Sequence, residues 1–390
     1  MAEWKECLLS DLGTVVGGAT PSTKNPANYE GGTISWITPK DLADFKGRYI
    51  ARGERMITDA GLSSCSTQLM PEHSVLFSSR APIGYVAIAA NELCTNQGFK
   101  SVVPNERTDY LFLYYLLRYY KDAIENLGSG TTFKEVSGST MRNVKVKVPV
   151  LFSEQKKIAS VLGAIDDKIE ENERINNNLL QQAQAVFAKE FLSFDTTPEG
   201  WKESSLLGIA DYLNGLAMQK FRPKDGENGL PVLKIKELRQ GSCDASSELC
   251  SPSIKKEYIV HDGDVIFSWS GSLLVDFWCG GTCGLNQHLF KVTSTSFDKW
   301  FYFAWTDHHL QKFAAIAADM ATTMGHIKRE ELAKAEVLVP PQAEYERIGG
   351  LLAPIYDLVV ANRIENRKLA TLRDELLPRL MSGDLDGTVK

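Results

Sequence analysis

A segment rich in glycine, serine and threonine, GSGTTFKEVSGSTMR at residues 128–142, carries Lys134 and Arg142. Backbone amides and small hydroxyl groups, such as those of Thr131 and Thr132, suit contacts with phosphate, and lysine or arginine suits phosphate oxygens or the edge of guanine. These residue types therefore predict contact with nucleic acid. The alternative is that the segment only connects two structural elements.

A second segment of the same kind, ADMATTMGHIKREE at residues 318–331, contains Thr322, Thr323, His326 and Lys328. It occupies the equivalent place in a sequence that is written twice, since TTFKEV in the first segment returns as TTMGHI in the second. The same chemistry is therefore expected of both segments.

The repetition extends over the whole chain. Matching pairs are Trp4-Lys5-Glu6 and Trp201-Lys202-Glu203, VLFSSR at 75–80 and VIFSWS at 265–270, and Asn96-Gln97 and Asn286-Gln287. The period is far too long for a solenoid repeat, and each copy is long enough for a core of its own and one long helix. Two similar units on one chain imitate a symmetric dimer.

Other basic residues are candidates for nucleic-acid contact. Arg80 follows a predicted strand and has Gly84 soon after it, so it could project into a groove; a surface ion pair is the alternative. Looser basic clusters supply the remaining candidates, which are Lys24 and Arg48 in the first copy and Lys220, Arg222 and Lys236 in the second. The two Asn-Gln pairs could contact adenine, but beside predicted strands we favour a structural role in which they tie loops to the backbone.

Motifs for catalysis are missing from the sequence. It has no GK[ST] phosphate loop and no glycine-rich loop of the dinucleotide-binding type. Its single Pro-Pro lacks the polar residue before and the aromatic residue after that amino-methyltransferases place at the target base. Cys279, Cys283 and His288 do not have the tight paired spacing of a zinc site. The sequence therefore predicts a chain that is not an enzyme and holds no metal.

Short β-type runs between turn signals fill each copy. The predicted strands include GGTISWI, HSVLFSS, GYVAIAA and VKVKVPV in the first copy and LPVLKI, GDVIFSW, HLFKVTS and AEVLVP in the second. A helix is predicted over 109–127, with Asp109 as N-cap, and its counterpart over 299–317.

A long helix is predicted after each copy. Apolar residues recur at three- and four-residue steps from Glu154 to about Leu192 and again after residue 341, which is typical of a coiled-coil seam. Both seams carry two asparagines, Asn172 and Asn176 in the first and Asn362 and Asn366 in the second, which would fix register. Helices of this length span about 60 Å, so each is expected to be the antiparallel partner of the other. Pro354 and Pro378 predict a kink or a short lead-in helix in the second.

These elements predict an α+β protein: two similar mixed α/β domains separated by two long helices packed as an antiparallel coiled coil with pseudo-twofold symmetry. The predicted segments are residues 1–152 for the first domain, 153–195 for the first helix, 196–340 for the second domain and 341–390 for the second helix.

Composition restricts the setting of the protein. No stretch approaches the twenty apolar residues of a membrane span, and the acidic residues near the start argue against a secretory signal. Seven scattered cysteines fit the reducing cytoplasm. The net charge of −6 argues against binding to nucleic acid along the whole chain, so local basic patches or a basic partner are required.

In its order of parts the chain resembles the DNA specificity subunit of type I restriction-modification systems. The residues that carry the resemblance are Pro149 with Glu154-Gln155 and Ile158, the two Asn-Gln pairs, and LLPRLMSGDL at 376–385. The second copy departs from the pattern at Tyr345, where glutamine is expected.

The resemblance implies a non-catalytic subunit whose two target-recognition domains each bind one half of a bipartite, asymmetric sequence in double-stranded DNA. The helices would set the gap between the halves and dock two modification subunits, and restriction subunits would complete the complex. S-adenosylmethionine and ATP would be bound by those partners and no cofactor by this chain. A stand-alone DNA-binding protein, or a scaffold that binds protein or carbohydrate, are the alternatives.

Overall fold

The computed structural model describes residues 3–43, 45–80, 82–130, 134–319 and 327–385. The chain divides into two compact units. Unit 1 comprises Met1–Glu170 and Leu369–Lys390, and unit 2 comprises Glu171–Lys368.

Unit 1 contains short strands and helices that surround one five-stranded sheet. Its strands are β1 (Trp4–Leu8), β2 (Gly13–Gly17), β3 (Ile34–Ile37), β4 (Tyr49–Ile50), β5 (Met56–Ile57), β6 (Val75–Ser79), β7 (Ile83–Ala89), β8 (Cys94–Thr95), β9 (Lys100–Pro104) and β10 (Lys145–Pro149). Its short helices are α1 (Pro39–Ala43), α2 (Asp59–Ser63), α3 (Tyr110–Tyr119), α4 (Lys121–Asn126) and α5 (Gly138–Arg142).

The large sheet of unit 1 has the order β2-β9-β6-β7-β4, and the smaller sheets are β5-β3-β8 and β1-β10. Strand β6 (VLFSS) is buried at every position, as befits the centre of a sheet covered on both faces. Strand β10 alternates exposed lysine with buried valine, which is the pattern of a strand with one solvated face.

Unit 2 repeats this plan. Its strands are β11 (Lys202–Ser205), β12 (Asp211–Asn214), β13 (Leu230–Leu233), β14 (Leu249–Cys250), β15 (Ile259–Val260), β16 (Val265–Ser268), β17 (Leu274–Phe277), β18 (Cys283–Leu285), β19 (Leu289–Thr293) and β20 (Glu336–Val339). Its short helices are α7 (Leu206–Ile209), α8 (Ile235–Gln240) and α10 (Arg329–Lys334), and α9 (Lys299–Asp319) is longer. The sheet β12-β19-β16-β17 has the strand order of β2-β9-β6-β7, and β11 pairs with β20 as β1 pairs with β10.

Two long helices, α6 (Phe152–Phe191) and α11 (Gln342–Ser382), pack against each other. In unit 1 Arg373 of α11 donates to Asp166 of α6 at 2.7 Å. In unit 2 Asn366 lies opposite Asn172 and Asn362 opposite Asn176. Residues 166, 172 and 176 of α6 thus face residues 373, 366 and 362 of α11 in that order. The two helices are therefore antiparallel, as predicted.

The predicted placement of the asparagines in the seam is confirmed. Within unit 2, Asn172 Nδ2 donates to Asn366 Oδ1 at 2.8 Å, and Asn362 Nδ2 donates to Asn176 Oδ1 at 2.9 Å. Asn172 and Asn176 are buried, so each pair satisfies amides that would otherwise lack partners.

Each domain core is continuous with the half-helices beside it. The core of unit 1 includes Ile158 and Leu162 of α6 and Leu380 of α11, and that of unit 2 includes Phe187 of α6 and Leu352 of α11. This packing assigns half of each long helix to each unit. The predicted segments, in contrast, divide the chain by sequence and keep each long helix whole.

Three details differ from the sequence predictions. The helix predicted over 109–127 is two helices, because the chain leaves helical geometry at Tyr120 (φ −85°, ψ 3°), although Asp109 caps α3 as predicted. Of the kink or short lead-in helix predicted at Pro354 and Pro378, the lead-in helix does not form among the described residues, because α11 runs through both prolines. The three- and four-residue spacing after residue 341 predicts Leu351 in the seam, but Leu351 is 47% exposed and its neighbour Leu352 is buried instead.

Gln155 and Tyr345, near the starts of the two long helices, each accept a hydrogen bond from the backbone at the start of a domain helix. Gln155 Oε1 accepts a hydrogen bond from the backbone N–H of Asp109, at 3.0 Å, where α3 begins. Tyr345 Oη accepts one from the backbone N–H of Asp298, at 2.8 Å, where α9 begins. The departure of the second copy from glutamine therefore preserves the contact between each long helix and its domain.

Candidate nucleic-acid interface

In unit 1 the end of β6 meets two loops. The backbone N–H of Ser79 donates to the Gly98 carbonyl at 2.7 Å, and that of Val136 donates to the Ser79 carbonyl at 2.9 Å. Arg80 forms an antiparallel bridge with Glu135. The described part of the predicted contact segment is therefore held against the strand end that carries Arg80.

Basic side chains gather around Glu135 at this strand end. Its carboxylate oxygens lie 3.9 Å from Arg80 Nη1 and 3.5 Å from Lys100 Nζ. Arg142 and Lys100 flank Gly138, since a Cβ built there would lie 3.6 Å from Arg142 Nη1 and 3.8 Å from Lys100 Cδ. Lys134 is exposed one residue before Glu135. We call Arg80, Lys100, Lys134, Glu135 and Arg142 the unit 1 patch.

The unit 1 patch brings together three predicted residues, Arg80, Lys134 and Arg142. Lys100 was missed by sequence reasoning. Its signal was its place on the strand directly after the repeated Asn96-Gln97 pair, four residues beyond Asn96.

Five predicted residues lie outside the described residues: Thr131 and Thr132 in unit 1, and Thr322, Thr323 and His326 in unit 2. Their roles stay predictions. Lys24 is exposed in a turn that does not belong to the unit 1 patch, and its role also stays a prediction.

Arg48 requires a correction. It is only 4% exposed, and its guanidinium donates to Glu170 Oε1 at 2.9 Å and to Asp167, both on α6. Burial opposes the charge of Arg48, but its hydrogen bonds to Glu170 and Asp167 outweigh burial and raise the pKa of Arg48. A buried guanidinium with two carboxylates is not presented to DNA, so Arg48 fastens the domain to the helix instead.

The backbone framework of the unit 1 patch recurs in unit 2. The N–H of Ile327 donates to the Trp269 carbonyl at 2.9 Å, the equivalent of the bond from Val136 to Ser79. A Cβ on Gly18 would lie 2.1 Å from the Thr95 carbonyl, and one on Gly215 would lie 2.2 Å from the Asn286 carbonyl. Only glycine permits so close a backbone approach, so both copies use it at matching positions.

The side chains on that framework differ in unit 2. Trp269 Nε1 donates to Asn214 Oδ1 at 3.1 Å, and its ring lies 6.1 Å from that of His288. Ser270, which takes the place of Arg80, lies 3.2 Å from His288 Nδ1 through its hydroxyl. Lys328 is exposed at the start of α10. We call Asn214, Trp269, Ser270, His288 and Lys328 the unit 2 patch.

Other cations of unit 2 are neutralised locally. Arg222 lies 3.3 Å and Lys234 2.6 Å from the carboxylate of Glu248, and Lys236 lies 3.6 Å from that of Asp244. The hydrogen bond from Lys234 lowers the pKa of Glu248. The acidic partners in these ion pairs, Glu248 and Asp244, are not members of the unit 2 patch.

Lys220 is exposed in a 3-10 turn of the same unit. DNA contact by Lys220, Arg222 and Lys236 stays a prediction.

The Asn-Gln pairs include a structural contact in each unit. Asn96 Oδ1 accepts from the backbone N–H of Gly98 at 2.8 Å, and Asn286 Oδ1 accepts from that of His288 at 3.4 Å. Gln97 accepts from the hydroxyl of Thr20. These bonds fix the loops beside the two patches.

Sites of two other kinds are absent from the described part of the chain. No group of three or more histidine, cysteine, aspartate or glutamate side chains there is arranged to hold a metal ion. Within the same residues, no helix combines the length and apolar character needed to cross a membrane.

Comparison with known proteins gives the class of the protein. Residues 1–181 and 198–373 each match the family described as type I restriction modification DNA specificity domain. A crystal structure of the S subunit of a type I restriction-modification system from M. genitalium shares the fold, with a TM-score of 0.60 at 13% identity over 97% of this chain and 96% of that one. The chain therefore carries two DNA specificity domains.

Named relatives make the assignment more specific. The chain is 32% identical to the type I restriction enzyme MjaIX specificity subunit of Methanocaldococcus jannaschii, over 98% of this chain and 94% of that protein. It is 28% identical to the EcoR124I/EcoR124II specificity subunit of Escherichia coli over 42% of this chain and 41% of that protein. This chain belongs to the family of type I restriction-modification specificity subunits, which are non-catalytic.

Proposed function

We propose that each unit of this specificity subunit binds one half of a bipartite, asymmetric sequence in double-stranded DNA. The observation that carries the proposal is one backbone framework, found in both units, that presents different side chains. Arg80 and Lys100 stand at the strand end in unit 1, and Trp269 and His288 stand there in unit 2. Different side chains select different bases, so the two half-sites should differ.

The long helices supply the spacing in this proposal. Helix α6 has 40 residues and α11 has 41, and helices of that length extend about 60 Å. The paired asparagines favour one register of the antiparallel pair. A fixed register gives a fixed number of base pairs between the half-sites.

Two modification subunits are the proposed partners of the helices, with restriction subunits added in the full complex. Exposed leucines on α11 support docking, because Leu351 and Leu358 in unit 2 and Leu372 in unit 1 are each about half exposed (47%, 45% and 45%). S-adenosylmethionine and ATP belong to those subunits in this proposal, and this chain binds no cofactor. The complex works in the cytoplasm.

The spacing proposal is tested by inserting four residues after Leu179 in α6. The insertion adds about 6 Å of helix, or roughly two base pairs of DNA. Methylated adenines are then mapped across the genome of a host that expresses the variant with its modification subunits. The gap should lengthen while the bases of both half-sites stay the same; a change in those bases would contradict the proposal.

The partner proposal is tested by gel shift with and without a modification subunit. With a net charge of −6, the chain should bind its target strongly only in the presence of that subunit. Strong specific binding by the chain alone would instead indicate a stand-alone DNA-binding protein. Absence of specific binding under both conditions would favour a scaffold.

A further inference from the structure

The ion pairs of the unit 1 patch are loose. Glu135 lies 3.9 Å from Arg80 and 3.5 Å from Lys100, both beyond the 2.7–2.9 Å of a direct charged hydrogen bond. Arg80 and Glu135 keep 34% and 40% of their side-chain surface exposed. Each can therefore exchange its partner for another group without leaving a buried charge behind.

The backbone beneath these side chains is well held. The N–H of Glu135 donates to the Ser129 carbonyl at 2.9 Å, and the Glu135 carbonyl accepts from the N–H of Ser129 at 3.0 Å. The N–H of Val136 donates to the Ser79 carbonyl. Arg80 and Glu135 are thus fixed neighbours on paired backbone segments, with partly exposed charged ends. That arrangement positions a donor and an acceptor side by side.

We propose that Arg80 and Glu135 together recognise one G·C base pair in the half-site bound by unit 1. Arg80 donates to O6 and N7 of guanine, and Glu135 accepts from N4 of cytosine, the pairings that the major-groove edges of these bases favour. Lys100 contacts phosphate nearby and offsets the charge of Glu135. The inference rests on the proposed function and adds the identity of one base pair.

Unit 2 has no such pair at the equivalent place among its described residues. Ser270 replaces Arg80 there, and it contacts His288 rather than a carboxylate. The G·C requirement assigned to Arg80 and Glu135 should therefore appear in one half-site and be independent of the other.

The experiment uses the full methyltransferase complex on a library of DNA targets, each with one base pair of the wild-type site changed. Arg80→Gln and Glu135→Gln are compared with the wild type, and Glu6→Gln is the matched control. Glu6 forms an ion pair with Lys145 in the same unit at 3.1 Å, with both side chains largely exposed, and neither residue belongs to the unit 1 patch.

Arg80→Gln and Glu135→Gln should each lower discrimination at the same single G·C pair by roughly tenfold or more, the effect of losing one good base contact. The other half-site should be unchanged, and Arg80→Lys should retain part of the preference for guanine. Lys100→Gln should weaken methylation uniformly across sequences and reduce its salt dependence. Glu6→Gln should behave as the wild type.

The inference is overturned if both patch variants keep every base preference, or if they relax different positions or both half-sites. If Arg80→Gln abolishes methylation while circular dichroism shows an intact fold, the test rests on Glu135→Gln. That variant must then relax a single G·C pair in one half-site. Failure of the proposed function is distinguishable, because the wild-type complex would then show no bipartite target at all.

Discussion

In both units ion pairs attach the domain to the long helices, but the positively charged residue lies on a different side of the contact in each. In unit 1 the cation belongs to the domain, where Arg48 contacts Asp167 and Glu170 of α6. In unit 2 it belongs to the helix, where Arg367 of α11 contacts Asp262 of the domain at 2.7 Å. Each domain therefore carries the charge opposite to that of the helix residues it contacts.

The burial of these contacts differs as well as their direction. The side chain of Arg48 is 5% exposed, whereas Arg367 and Asp262 are 31% and 27% exposed. Partly exposed pairs contribute little to stability, whereas a buried cation depends strongly on its partners. Attachment in unit 1 should accordingly be the more sensitive of the two to the loss of one residue.

The largest effect is expected from Arg48→Met. It removes the buried cation and leaves the carboxylates of Asp167 and Glu170 together, and breaking a buried pair costs about 3–5 kcal/mol. We expect about 3 kcal/mol, because Asp167 is 71% exposed and can be hydrated. Hydrogen exchange of amides in β4 and β7, measured with increasing denaturant, reports the loss.

Lys40→Met is the matched control for Arg48→Met. Lys40 pairs with Glu54 at 2.7 Å in the same unit, but the two side chains are 79% and 66% exposed. The substitution should therefore have little effect, as is usual for exposed ion pairs. Equal effects of the two substitutions would show that Arg48 does not fasten the domain.

A smaller effect is expected from Asn362→Leu, which removes one member of the amide pair between the long helices in unit 2. The substitution leaves Asn176 buried without its donor, which costs about 1–3 kcal/mol. Replacing both Asn176 and Asn362 with leucine should recover most of that loss, since no amide is left unpaired. A double-mutant cycle from denaturant unfolding, followed by tryptophan fluorescence, measures the coupling; additive effects would argue against the pair.

Much of the fold could be predicted because its signals are local. Strand alternation, the cap at Asp109 and the spacing of Asn172 and Asn176 are visible within a few residues of sequence. The misplacement of Leu351 shows the limit of such periodicity, because a shift of one residue moves a side chain from the seam to the surface.

The candidate site depended more on contacts that periodicity does not reveal. Arg48 resembled any exposed arginine because its partners lie 119 and 122 residues away. Lys100 and Glu135 likewise come from separate segments that only the fold brings within 3.5 Å. The repeat itself pointed to the strand end that carries the unit 1 patch, since Arg80 lies in one of the matching sequences.

The smallest expected effect is a pH dependence confined to unit 2. Burial lowers the pKa of His309, whose Nε2 hydrogen bonds the Glu336 carbonyl at 2.8 Å. The folded pKa is below the unfolded value of about 6.5, so the unfolded state binds the extra proton as the pH falls through that value. Stability contributed by the neutral imidazole is therefore complete above that pH and is lost below it.

Between about pH 7.5 and 5.5 this should cost unit 2 up to about 1 kcal/mol, and His309→Gln should reduce the dependence while keeping a donor for Glu336. Burial also lowers the pKa of His308 beside it, so the contribution of His308, which has the same sign, should remain. Asp307, whose pKa is raised by burial, acts in the opposite sense. Unit 1 contains a single histidine, His73, whose side chain is 44% exposed, so its hydrogen exchange should change less. If the stability of unit 1 fell more than that of unit 2 as the pH is lowered, the buried imidazole would not be the cause of the difference between the units.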